Sequence, residues 1–128
     1  MNHWIIAASG LFGASGVVLG ALGAHLWKPQ LGAQALDVFN TGLIYLLVHA
    51  GVLLMVGLLI DRYDRNIWFK LAAVLFTAGI ILFCGALLTG TVLETRIFAR
   101  FAPYGGASLI FAWLALALGG IVNNRKTL

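Results

Sequence analysis

Little in this chain can do chemistry. Its 128 residues carry three histidines, four carboxylates and one cysteine. The most informative of these is His49, the twelfth residue of an uncharged run from Val38 to Ile60, with Tyr45, Thr41 and Asp37 before it at successive steps of four. On a helix each such step overshoots a turn by about 40°, so the four residues form a slowly rotating polar stripe from one end of the run to its middle. Leu53 and Gly57 continue the register, and the stripe stops halfway. An imidazole at that depth needs a partner, because a polar group left facing lipid is costly. The preferred reading is a neutral His49 bonded to a neighbouring helix. The alternative is a transporter, or a proton- or ligand-handling protein, whose pocket holds Asp37, Thr41, Tyr45 and His49 with His25 and Glu94 above them.

Other chemistries lack their residues. There is no HExxH, no nucleophile elbow, no phosphate loop and no Gly-x-Gly-x-x-Gly set between strand and helix. Cys84 stands alone in an apolar run, which excludes an internal disulfide and a cysteine-based metal site; it is expected to pack as a small hydrophobe. His25 and His49 fall on antiparallel helices about 10–15 Å apart by helical rise, so one haem bridging them is not expected. The reading is a protein that is no enzyme and has no cofactor, metal or nucleic-acid partner. Lys28, Asp37, Glu94, Arg96 and Arg100 share one end of the molecule with His25; a mixed-charge cap over the bundle is one reading, and the preferred one is snorkelling side chains with weak surface ion pairs.

The elements that must position these residues follow from composition. Hydrophobic residues make up 62% of the chain and charged ones 9%, whereas soluble domains carry about 25% charged residues. A water-soluble domain is therefore excluded. Uncharged runs at 1–27, 38–60, 71–93 and 101–124 each reach the roughly 20 residues that a membrane helix needs. The expected fold is all-α, an antiparallel bundle of four transmembrane helices in a single domain, with spans at about 4–26, 38–60, 70–93 and 103–123. No room is left within these residues for an extramembrane domain. The first segment has no Lys or Arg ahead of it and is too long for a signal peptide, so it is read as a retained span. Arg62, Arg65, Lys70, Arg125 and Lys126 fall on one side, against Lys28, Arg96 and Arg100 on the other. That balance predicts both termini in the cytoplasm.

Connections and packing surfaces are also legible. Lys28-Pro29 should end span one, residues 30–36 are expected to form a short interfacial helix, and Asp37 is expected to cap span two. Trp68 and Phe69 fall where an interfacial aromatic belt would lie, and Pro103 opens span four. In span one Gly10, Gly13, Gly16, Gly20 and Gly23 recur at helical spacing and are expected to line one packing face. Span one is accordingly expected to make the closest helix crossing.

Gly20-Ala21-Leu22-Gly23-Ala24-His25, then His49-Ala50, Leu82-Phe83-Cys84-Gly85, Thr89-Gly90, and Pro103-Tyr104-Gly105-Gly106 followed by Trp113 occur in an order that resembles the family called domain of unknown function 423. The resemblance covers nearly the whole chain. It implies a small four-span inner-membrane protein without an established biochemical activity, and supplies no catalytic residues. The glycine-lined helix surfaces and the absence of room for an extramembrane domain within these residues support an accessory or assembly role among membrane lipids, as a homo-oligomer or in a larger membrane complex.

Overall fold

The structure, a computed structural model, describes residues 3–126, with side chains as far as Asn123. Arg125 and Lys126, counted in the charge balance, have side chains outside the described residues. Among the described residues, four helical stretches are long and apolar enough to cross a membrane: His3–Trp27, Ala33–Arg62, Ile67–Val92 and Ile97–Asn123. Helix α1 (His3–Leu22) ends in a π-helical turn, Gly23–Trp27; α2 is Ala33–Arg62. Span three is α3 (Ile67–Gly79), a second π-helical turn (Ile80–Cys84) and α4 (Gly85–Val92), and a 3-10 turn, Ile97–Phe101, leads into α5 (Ala102–Lys126).

Two connections differ from expectation. Helix α2 starts at Ala33 with Gly32 as its N-cap, so no separate interfacial helix precedes it. Asp37 lies inside the helix and caps nothing; its carbonyl instead accepts a hydrogen bond from Thr41 Oγ1 at 2.9 Å. The first charged residue marks where lipid ends, and backbone hydrogen bonding carries the helix past that point at both ends. Between α2 and α3 only residues 63–66 remain. There Asn66 caps α3 by accepting from Trp68 N at 3.1 Å, while its Nδ2 donates to Gly119 O at 2.9 Å. Phe69, expected in an interfacial belt, is instead buried against Gly119 of α5.

The spans pack in a row. Helix α1 lies along α2, α5 lies along α3 and the following π turn, and the α2 contacts with α3 and α4 join the two pairs. A continuous core runs from Ile5 through Phe39, Leu53, Val56 and Ile60 to Phe76, Ile80, Cys84 and Leu109, with Cys84 packed as a small hydrophobe. Each outer helix is tied to its neighbour by one serine hydroxyl donating to a backbone carbonyl, Ser9 to Ala50 O at 2.8 Å and Ser108 to Leu75 O at 2.7 Å. Such bonds need no answering side chain on the partner helix.

The glycines divide unevenly. Gly16 and Gly23 receive the side chains of Leu47 and Phe39 from α2, and Gly20 makes ordinary contact with Leu43. A Cβ at Gly10 or Gly13 would meet nothing within 4 Å, so these two are not part of that seam. The seam runs through Ile5, Ser9, Gly16 and Gly23, and Gly10 and Gly13 sit to one side of it because each residue turns the helix by about 100°. The closest crossing is not in span one either. At Gly105 of α5, a Cβ would lie 2.7 Å from the Leu82 carbonyl carbon and 2.8 Å from Phe83 Cα, a backbone-to-backbone approach. In span one the glycines receive large side chains, which keep the backbones further apart.

Candidate functional site

His49 is the best-defined polar group within the spans. Nine-tenths or more of it is buried, on the side of α2 that faces α3 and α5. Its Nδ1 lies 2.8 Å from Tyr45 O and its Nε2 accepts from Trp113 Nε1 at 3.2 Å. Both contacts together require the neutral tautomer with the proton on Nδ1. Helix periodicity supplies the first, since an i−4 carbonyl lies beneath the ring. Only the tertiary fold supplies the second, by bringing α5 across from α2. The expected bond from His49 to a neighbouring helix is present.

Aromatic rings enclose this pair. Tyr45 stacks on His49 with centroids 5.5 Å apart and touches Phe83 at 5.0 Å, and Phe76 packs edge-on to Trp113 at 5.3 Å. Phe83 belongs to the π-helical turn of span three, where an extra residue in the turn redirects the side chains that follow. Between α2, this turn and α5 lies a cavity of about 410 Å³ open at one side, lined by Tyr45, Val48, His49, Phe83, Ile110 and Trp113 among others. Its floor at Gly106 has no side chain to fill it.

The other residues of the expected pocket lie elsewhere. Asp37 and Thr41 are exposed on α2 and do not line this cavity, because the stripe turns through about 120° between Asp37 and His49. His25 is exposed on the π turn that ends span one. Glu94 lines a separate groove of about 340 Å³ near Gln30, Thr95 and Arg96, and its backbone is left-handed at φ 51°. Only Tyr45 and His49 of the six come together. Trp113 and Phe83, which complete the site, enter the sequence reading only through the family resemblance, and nothing in their spacing marks them as site residues, since an indole at this depth reads equally well as lipid-facing. Among the described residues, no three His, Cys, Asp or Glu side chains gather as metal ligands.

Fold and site together define a polytopic all-α membrane protein with one buried histidine and a cavity that opens toward lipid. Residues 19–106 match the family model DUF423, described as a protein of unknown function, and the chain belongs to that family. It is 31% identical to the UPF0382 inner membrane protein YgdD of Escherichia coli strain K12, over 98% of this chain and 95% of the relative. It is 32% identical to the UPF0382 membrane protein YwdK of Bacillus subtilis strain 168, over 82% of this chain and 85% of that one. A UPF0382 membrane protein of Haemophilus influenzae is 33% identical over 90% of this chain and 89% of its own. No solved structure matches the chain. This is a small integral membrane protein of unknown function.

Proposed function

We propose that the protein is a non-enzymatic accessory or assembly subunit of the inner membrane, with both termini cytoplasmic, joining a second copy of itself or a larger membrane complex through span one. One observation carries this reading. Ala7, Gly10, Ala14 and Ala21 are all exposed on α1, on a face about 155° round from the seam that meets α2. Lipid gives helices no hydrophobic push toward each other, so small residues serve association by allowing close backbone approach. Span one thus has one small-residue surface used inside the molecule and a second one open.

The transport or proton-handling alternative has weaker support. Both nitrogens of His49 are engaged, and Leu53, Val56 and Phe76 close the way beyond it with no exposed surface. These three side chains offer a proton or ion no polar group. Native mass spectrometry of the full chain from mild detergent tests the proposal: wild type should appear as an oligomer or with an associated subunit, and Gly10→Leu or Ala14→Leu should release the monomer without lowering its melting temperature. A wild-type protein that is only monomeric would overturn it. Proton flux in proteoliposomes that disappears in His49→Leu would favour the alternative.

A further inference from the structure

We propose that the cavity between α2, the π-helical turn of span three and α5 binds a lipid-soluble molecule whose flat ring carries a hydrogen-bond acceptor, the chemistry of a quinone head group, with the Tyr45 hydroxyl as donor. The inference is separate from the assembly reading, which concerns the open face of α1.

Tyr45 lies near the middle of α2. Even with its side chain leaning toward the helix N-terminus, its hydroxyl stays within the hydrocarbon half-thickness of about 15 Å. Among the described residues that hydroxyl has no hydrogen-bond partner. Lipid tails offer it none, and a hydroxyl in hydrocarbon without a partner is costly. His49 cannot supply one, because its Nδ1 is given to Tyr45 O and its Nε2 to Trp113. The imidazole therefore acts as a positioning group: it stacks under the Tyr45 ring and fixes Trp113 as the opposite wall.

The rest of the cavity suits the ring of such a ligand. Its volume of about 410 Å³ falls in the roughly 300–1,000 Å³ range of small-molecule sites, which are mostly apolar with a few placed polar groups. Tyr45, Phe83 and Trp113 offer ring faces and edges for a flat partner, and Ile44, Val48, Leu109 and Ile110 offer an aliphatic surface for a tail. The mouth opens to lipid, the phase from which such a molecule would arrive. An acyl chain could occupy the same volume but would leave the hydroxyl unsatisfied, and this difference makes the proposal testable.

The experiment uses the full chain in phosphatidylcholine nanodiscs and measures saturable uptake of decyl-benzoquinone above protein-free discs, with decylbenzene as the analogue lacking carbonyls. Wild type should bind the quinone saturably and more tightly than decylbenzene. Tyr45→Phe, which keeps the ring and its stacking, should weaken quinone binding by about fivefold, the effect of one hydrogen bond in lipid, and leave decylbenzene unchanged. Ile110→Trp fills the cavity from a position that is 63% exposed, spares the core, and should abolish uptake. The proposal fails if wild type shows no saturable quinone uptake, if decylbenzene binds equally well, if Tyr45→Phe binds the quinone like wild type, or if Ile110→Trp does.

Discussion

The bond from Trp113 to His49 joins α5 to α2, and its worth can be measured. Trp113→Phe keeps an aromatic side chain but removes the donor together with part of the indole's packing surface, and should lower unfolding stability in detergent by at least about 1 kcal/mol, the usual size of an interhelical polar bond in membranes. His49→Leu leaves the indole N–H without its acceptor and the Tyr45 carbonyl with one bond fewer, and should cost about 1–3 kcal/mol. The double substitution should cost less than the sum of the two singles, because both report the same contact. Additive losses in chemical denaturation would mean that the bond is not formed. Glu94 offers an opposite case. It occupies the left-handed position that closes α4, where Thr95 N bonds Gly90 O at 3.1 Å, a place normally taken by glycine. Glu94→Gly should raise stability by up to about 1 kcal/mol by relieving the Cβ clash, and an unchanged or lower melting temperature would count against this.

Among the elements, the π-helical turn of span three organises the most. It lies between Gly79 and Gly85, and its backbone meets Gly105 of α5 more closely than any side chain would allow. Gly105→Ala must push α5 away from Leu82 and Phe83, at a cost of about 1–3 kcal/mol in stability. It should also disturb the cavity, whose walls come from those two elements. Gly51→Ala is the control, since a Cβ there meets nothing within 4 Å; it should be neutral or gain up to about 1 kcal/mol from helix propensity. Gly23→Ala should fall between the two, because its Cβ would meet the Phe39 ring at 2.6 Å and that side chain can shift. Melting temperatures in one detergent would rank the three, and Gly105→Ala as mild as Gly51→Ala would refute the backbone contact.

Taken whole, the molecule is a row of four spans with its outer members partly unpartnered. Only 17% of the most apolar stretch of span one is buried within the molecule, against 44% in span three. Lipid or protein must cover the remainder, and the open small-residue face of α1 makes span one the expected point of assembly. Orientation is a property of the same scale. The sequence assigns five positive residues to the side of the termini against three to the other, which predicts cytoplasmic termini, and reporter fusions at Leu128 should be active only with a reporter that works in the cytoplasm. Activity confined to the outer side would invert the molecule.

Most of the fold was readable from the chain because the solvent imposes it. With 9% charged residues, uncharged runs of this length have to be helices that satisfy their own backbone groups, and the family resemblance needed only the order of Gly20–His25, His49, Phe83–Gly85 and Pro103–Gly106. The polar stripe of α2 and the identity of His49 as its deepest member were readable for the same reason. Tertiary structure decided which groups meet. It turned Asp37 and Thr41 away, sent Glu94 to another groove, moved the closest crossing from span one to Gly105, and brought Trp113 to His49 from 64 residues along the chain. Periodicity places a residue on its own helix, but in lipid several neighbours can cover the same face at similar energy. Short-range packing between helices makes that choice, through a glycine that lets two backbones touch and a π turn that re-aims one ring.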